Sequence, residues 1–302
     1  MNYNEALLVK IVWYYYFEEM TQQQIAEKLN ISRMKVVKYL DTAKQNKIIQ
    51  FSMNKDNSHR MINEETLKEK YNLDDIFIVP TTGNNQQAIN KSIAKAAAMY
   101  INDRLDENRF INAGYGDTSN RVLNYLANIA SPSVSFISLT GGVSYYLPNA
   151  QSNVFNATLN LIPTPLMVSS SKMRDQMLKE ASVEAIYRMV PLAAFSVIGV
   201  GSLHDDATIL RSNILTTNDF QLMKSQGIVG DIISHFFDKN GNVLNTFFED
   251  RLISYPADRV RELNNVIGVV GGESKVEAIK AALKGGYIDI LITDEFTAGR
   301  LI

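Results

Sequence analysis

The sequence predicts an α/β protein in two parts: a small helix-turn-helix domain, then a larger Rossmann-like domain built on a mostly parallel sheet. Three observations predict this. Residues 21–46 read as two short helices joined by a tight turn. From Ile76 onward apolar strand-length runs alternate with helical patterns, as in a parallel α/β sheet. Four of those strands run into glycine-bearing turns. A chain of 302 residues with 46% hydrophobic content can bury a large core and supports two domains. The boundary expected is 1–55 for the first and 56–302 for the second.

In the first part, residues 4–19 form an amphipathic helix whose buried stripe is Leu7, Leu8, Ile11, Val12 and Tyr15. The aromatic cluster at 13–17 is too dense for one face. One or two rings are expected to stay exposed, an exposed tyrosine among them touching a second subunit or the DNA backbone. Thr21 and Gln24 fit a capping box at the start of the next helix, and Ile25, Ala26 and Leu29 make its apolar face. Asn30 ends that helix and Ile31 fills the gap. Ser32 then caps the following one, since its hydroxyl can accept from a free first-turn amide. Val36, Val37 and Leu40 face inward, leaving Arg33, Met34, Lys35, Lys38 and Tyr39 to project outward.

A plain helical hairpin with solvated lysines would share this pattern. The capping box, the short turn and the cations in the first turn of the second helix favour a DNA reader, because such helices enter the major groove by their N-terminal residues. The candidate DNA-contacting residues are Thr21, Gln22, Ser32, Arg33, Met34, Lys35, Lys38 and Tyr39. The partner implied is double-stranded operator DNA.

Residues 48–53 alternate like a short strand or wing, 54–60 (NKDNSHR) read as a polar linker, and 62–71 as a charged connecting helix. The larger part reads as strand 76–79, helix 86–105, strand 110–113, a helix to about 129, and strands 134–139 and 158–162. Helix 172–187 follows, then strands 193–200 and 266–270, helix 274–283, a strand at 288–293 closing the sheet and a terminal helix from 295.

The glycine turns lie at 114–116, 141–142, 199–201 and 271–272. In an open parallel sheet they gather along the carboxyl edge, where such folds bind ligands. Glycine lets backbone approach a ligand, and a following helix presents free amides to an anion. The best cradle is Gly114, Tyr115, Gly116, Asp117, Thr118 and Ser119, where two hydroxyls accompany the glycines before a helix. Gly141 and Gly142 join the candidate site. It is neither a P-loop, lacking GK[ST], nor a full GxGxxG fingerprint. Lys275 opens a helix just after Gly271 and Gly272, a place for a cation only beside an anion; otherwise it is a solvated lysine. Asp231 follows a glycine turn, and either caps its own helix or binds a ligand hydroxyl.

Composition narrows the classes. Cysteine is absent, which excludes disulfides and thiolate metal sites and suits a cytoplasmic protein. His59, His204 and His235 are scattered and make no metal site; no cofactor is expected. No apolar run reaches a membrane-spanning length and no signal peptide is visible. The net charge is −2, yet within 1–55 Lys10, Lys28, Arg33, Lys35, Lys38, Lys44, Lys47 and Lys55 outnumber Glu5, Glu18, Glu19, Glu27 and Asp41. A locally basic module on an acidic body fits a DNA reader joined to something else.

Residues 21–46, 114–119, 139–142, 200–202, 229–238, 271–275, 285–286 and 293–295 together resemble the SorC/DeoR family of bacterial transcriptional regulators, in the right order and nearly end to end. The resemblance implies a sugar-phosphate-binding domain of the phosphosugar isomerase/deaminase type and a homo-oligomer, usually a tetramer, that represses transcription. Residues 11–17, 139–143, 205–209 and 284–288 resemble most the family's repressors of autoinducer-2 uptake. They imply quorum-sensing control with phosphorylated autoinducer-2 as effector. By that resemblance Gly114, Gly116, Thr118 and Ser119 hold the phosphate, while Asp231 and Lys275 bind the hydroxyl and carbonyl end. Asp117 departs from the family's turn by setting a carboxylate beside the phosphate. The alternatives are a carbohydrate-operon regulator sensing another sugar phosphate, an activator rather than a repressor, and an isomerase- or deaminase-like enzyme using Asp231 and Lys275.

Overall fold

The computed structural model describes residues 3–49, 55–80, 85–142, 146, 157–204 and 207–302. The chain divides into two compact units, Met1–Ser58 and His59–Ile302.

The first unit holds α1 (Tyr3–Tyr16), α2 (Gln22–Leu29) and α3 (Arg33–Gln45) around a core of Leu8, Ile11, Val12, Ile25, Ala26, Val36, Leu40 and Ala43. Local chemistry sets the helix ends. Thr21 and Gln24 form the reciprocal capping box, and Asn30 closes α2 in the left-handed region at φ 52°. Ser32 Oγ accepts from Lys35 N at 3.3 Å to start α3. Leu7, Tyr15, Ile31 and Val37 are only half-buried. Within the cluster at 13–17 the exposed rings are Trp13 and Phe17, stacked at 4.6 Å, while Tyr14, Tyr15 and Tyr16 are half-buried. Lys28 Nζ lies 4.4 Å from the Tyr14 ring centroid and Tyr15 meets Tyr16 edge to face at 4.8 Å, which leaves the outer stripe to the other two rings. Ile48 and Ile49 lie outside any strand; the rest of the expected wing, residues 50–53, and Asn54 lie outside the described residues.

α4 (Lys55–Tyr71) is helical from Lys55, so the polar segment expected as a linker is instead the start of a 17-residue helix. Its residues are mostly good helix formers without Gly or Pro, and polarity alone does not stop a helix. The larger unit continues through β1 (Asp75–Val79), α5 (Gln86–Asn102), β2 (Phe110–Ala113), α6 (Asp117–Ile129), β3 (Val134–Ser138) and β4 (Ala157–Asn160). Next come α7 (Ser171–Met177), α8 (Ala181–Met189), β5 (Phe195–Ile198), β6 (Val200–Ser202), α9 (Thr208–Arg211) and α10 (Thr217–Ser225). The chain ends with β7 (Ile228–Ile232), β8 (His235–Asp238), α11 (Ala257–Val260), β9 (Val266–Val269), α12 (Val276–Lys284), β10 (Ile290–Asp294) and α13 (Glu295–Leu301).

Seven strands form a sheet in the order β1-β10-β9-β5-β2-β3-β4, with every pairing parallel. Strand alternation splits the core between the two faces. Val134 and Phe136 of β3 and Ile290 and Ile292 of β10 pack with α5 and α6 through Ile93, Ala97, Val122 and Leu126. Ile137 and Leu291 lie on the other face, in one core cluster with Ile279, Ala282 and Leu301 of α12 and α13.

Several elements differ from expectation. The single helix over 172–187 is two, because Glu180 is extended and starts α8 afresh. The run 193–200 is cut at Gly199: β5 belongs to the large sheet, and β6 to a separate antiparallel sheet β6-β7-β8. The strand expected to close the sheet, β10, sits between β1 and β9, so the edges are β1 and β4. Asp231 lies on β7, and no helix follows it for it to cap. Among the described residues, no helix is long and apolar enough to cross a membrane.

Candidate functional site

The neighbours β2 and β5 are where the large sheet changes direction. From β2 the chain passes to α6, on the face packed by α5, and then to β3; from β5 it enters β6, whose sheet packs with α12 on the other face. Such a switch point opens a crevice at the carboxyl ends of its strands. A cavity of about 330 Å³ lies there, at the small end of the usual range of ligand pockets, about 300–1,000 Å³.

Its floor comes from the turn after β2. Gly116, at φ 130°, leads into α6, whose first turn has no side-chain cap. The opening amides of a 13-residue helix are therefore available to an anion. Thr118 and Ser119 are 5% and 1% exposed, and both line the cavity. Ser119 Oγ has no hydrogen-bond partner among the described residues. A buried hydroxyl left unpaired costs free energy, about 1–3 kcal/mol, so its place on a cavity wall points to a guest.

Gly199, Gly201 and Ser202 of the β5–β6 segment and Asp231 of β7 also line the cavity. Gly201 and Asp231 are register partners, and the Asp231 carboxylate fills the space where a β-carbon on Gly201 would be. Burial pushes the Asp231 carboxyl up to about 6. The Ser234 amide, which donates to Oδ2 at 3.2 Å, and the nearby charges of Lys275 and His235 oppose that rise. Ile233 and Ser234 form the β7–β8 turn with φ of 41° and 71°, a left-handed conformation that is rare for a β-branched residue.

The remaining wall is charged and amide-rich. Arg121, Arg211 and Lys275 line it along with Gln86 and Asn90 of α5. Burial acts to raise the Asp117 carboxyl, but hydrogen bonds from Arg121 (2.9 Å) and Asn90 (3.0 Å) outweigh it and hold the group below the ordinary carboxylate value.

The cavity thus gathers Tyr115, Gly116, Asp117, Thr118, Ser119, Asp231 and Lys275 from the sequence-derived candidates. Gly114, Gly141 and Gly142 are not among its lining residues. Gly114 donates its amide to Val197 O at 2.8 Å, and a β-carbon on it would stand 3.1 Å from Ile233 Cγ2. The Gly141 and Gly142 amides go to Ile253 O and Thr164 O, and Pro165 O closes over Gly141. Gly114 and Gly141 are thus closely packed by neighbouring atoms. Gly271 and Gly272 are likewise covered, by Asp294 and by Gln86. The sequence reading missed Gln86, Asn90, Arg121, Ser202, Thr208 and Arg211. Arg121 had a signal, lying four residues after Asp117 on one helix face.

In the small unit, Arg33, Met34, Lys35 and Lys38 are exposed on α3, Met34 at 78%. Thr21 and Ser32 are spent on capping, and Gln22 Oε1 accepts from Arg33 Nε at 3.4 Å. Tyr39 is half-buried and its hydroxyl donates to Asn4 Oδ1 at 3.2 Å.

Comparison with known proteins supplies independent findings. Residues 55–302 match the family described as "Putative sugar-binding domain", and residues 10–43 match "Sigma-70, region 4". The transcriptional regulator LsrR of Enterobacter sp. (strain 638) is 30% identical over 97% of this chain and 92% of its own length. That of Escherichia coli (strain K12) is 30% identical over 99% and 95%. Among solved structures, the full-length sorbitol operon regulator SorC from Klebsiella pneumoniae superposes with a TM-score of 0.70 at 24% identity, over 100% of this chain and 99% of that one. A DeoR family transcriptional regulator from Listeria monocytogenes gives 0.70 at 20% identity over 81% and 100%, which speaks to the fold.

Proposed function

The chain belongs to the SorC/DeoR family of transcriptional regulators, and from that premise we propose that it is a repressor released from its operator by a phosphorylated sugar-like effector. The observation that carries the effector half is the Ser119 hydroxyl, without a partner among the described residues, beside an N-terminus of α6 that no side chain among them caps, at the wall of a small cavity. An anion of phosphate size is the guest that helix amides and two hydroxyls complement. Asp231 and Lys275, which line the same cavity, suit hydroxyl and carbonyl groups on the ligand's other end. Phosphorylated autoinducer-2, a small phosphorylated polyol ketone, has this pattern and is the effector proposed.

For DNA, α3 presents Arg33, Lys35 and Lys38 outward at and after its N-terminal turn, the end that a helix-turn-helix inserts into the major groove. A homotetramer in the cytoplasm, reading a roughly palindromic operator through paired α3 helices, completes the proposal. Residues 1–55 are the reading domain and 56–302 the effector domain. The effector favours a subunit arrangement that fits DNA poorly, and operator DNA must then weaken effector binding by the same factor.

The experiment is a gel-shift titration on duplexes selected from a randomised pool, with and without phosphorylated autoinducer-2. A fall in duplex affinity is expected, together with a rise in melting temperature on adding the effector alone. Unchanged duplex affinity would refute derepression. A thermal response to another sugar phosphate in its place would redirect the effector assignment to a carbohydrate operon.

A further inference from the structure

Asp117 is an awkward neighbour for an anion. It is the first residue of α6, so its carboxylate stands at the helix end that would otherwise meet a phosphate, and it lines the same cavity as Thr118 and Ser119. A carboxylate free to swing there would take the helix amides for itself and repel a second anion.

A chain of side-chain amides holds it in place. Asn90 Nδ2 and Arg121 Nε both donate to Asp117 Oδ2, at 3.0 and 2.9 Å. The polarity of the chain is fixed from its far end. The Gly271 carbonyl can only accept, so Gln86 Nε2 donates to it at 2.8 Å, and the same nitrogen donates to Asn90 Oδ1 at 2.8 Å. With its oxygen committed as acceptor, Asn90 has only its NH₂ to offer Asp117. Asn90 is 8% exposed, which limits competition from water. Gly272 makes the room, since a β-carbon there would overlap the Gln86 amide.

We infer that Asn90 is a positioning residue for the anion end of this cavity. With Arg121 it pins the Asp117 carboxylate toward α5 and the second turn of α6, and so keeps the first amides of α6 and the Ser119 hydroxyl open to a phosphate monoester. This rests on the phosphate reading above and adds to it a division of labour. The Arg121 charge is spent on Asp117, so the anion is held by the helix end and the hydroxyls, with Arg211, whose charge also acts on Asp117, on the same cavity wall. The same amide chain ties the turn just ahead of Lys275 to the first residue of α6, so the two ends of the site are set by one network.

The test uses the full chain, with ribose 5-phosphate and inorganic phosphate as probes, unphosphorylated ribose as control, and calorimetry as readout. Asn90→Ala is expected to weaken both phosphate probes at least fivefold. Asp117→Asn is expected to bind them more tightly than the parent, because the negative charge in the same cavity is gone even though it is turned aside. Adding Asn90→Ala to Asp117→Asn should then cost less than twofold, since no charge is left to restrain. Gln86→Ala, which frees the Asn90 amide without touching Asp117, should show the same dependence on residue 117 and serves if Asn90→Ala folds poorly. Full retention of affinity by Asn90→Ala and Gln86→Ala, or an equal loss in the Asp117→Asn background, would overturn the positioning role while leaving the phosphate site standing. Failure of the parent chain to bind either phosphate probe would refute the phosphate reading itself, and this inference with it.

Discussion

Gly201 and Asp231 face each other across the antiparallel pair β6–β7, and the missing side chain of one is the space that holds the carboxylate of the other. Backbone fixes Asp231 from two sides, since the Ser234 amide also donates to it at 3.2 Å. Gly201→Ala must therefore push the carboxylate off its station. The expected cost is about 1–3 kcal/mol of stability, the usual range for forcing extra volume into a packed site. The melting-temperature rise on adding sugar phosphate should be lost, while unliganded duplex affinity is retained. Thermal melts with and without ligand check this. An undiminished ligand shift would remove Asp231 from the site.

The same carboxyl gives a pH signature. In the unfolded chain Asp231 titrates near 4, whereas burial lifts it to about 6 in the native state. The native form thus keeps a proton that the unfolded form has released. The stability from that proton is complete below about pH 4, is lost as pH rises through about 6, and is absent above. Asp231→Asn should therefore match its parent near pH 4 and exceed it at pH 7.5. A gain on the order of 1–2 kcal/mol is expected, once the shift is discounted for the residue's partial exposure. Urea melts of parent and variant at the two pH values read the difference. A difference that does not change with pH would show that Asp231 does not titrate in this window.

What the sequence made legible follows the range of the forces involved. The helix-turn-helix is written in local signals, a capping box at Thr21, a left-handed stop at Asn30 and a cap at Ser32, and each needs only a few neighbouring residues. The buried strands were legible as apolar runs. The sheet β6-β7-β8 was not, because its hairpin turns on Ile233 and Ser234, where turn grammar expects Asn or Gly in the left-handed region. Nothing local distinguishes Gly141, required by the carbonyl of Pro165, from Gly116, which opens onto the cavity. Asn90 and Arg211 reach the site from α5 and α9 through topology alone, and the sequence carries no mark of that meeting.

On the DNA side, Arg33 and Lys35 extend from the first turn of α3 without a role in the core of the small unit. Arg33→Ala and Lys35→Ala should each weaken duplex binding while leaving the sugar-phosphate thermal shift unchanged. A residue that contacts phosphate should lower the slope of log affinity against log salt by about 1, whereas one that reads a base should relax sequence preference instead. Ser32→Ala acts differently, by removing the cap on α3 at a cost of about 1 kcal/mol. Gel shifts across a salt series separate the three. Wild-type affinity and slope in both cation variants would exclude the N-terminal turn of α3 as the reading edge.

Ser119→Ala offers a test in which stability and binding move in opposite directions. The Ser119 hydroxyl is buried, lacks a partner among the described residues and faces the cavity, so the empty protein carries its desolvation without a compensating bond. Removing it should leave the unliganded melting temperature unchanged or raise it, because deleting an unsatisfied buried group recovers part of about 1–3 kcal/mol. The α6 backbone amides remain in place, so binding should weaken rather than vanish. A loss of about tenfold in sugar-phosphate affinity is expected, the worth of one hydrogen bond to a charged oxygen. Thr118→Ala, at the same helix end, should also weaken binding. The pair of readouts is decisive for Ser119. A variant that is destabilised and binds normally would mean that the hydroxyl supports the fold, and that the anion, if held at all, is held elsewhere.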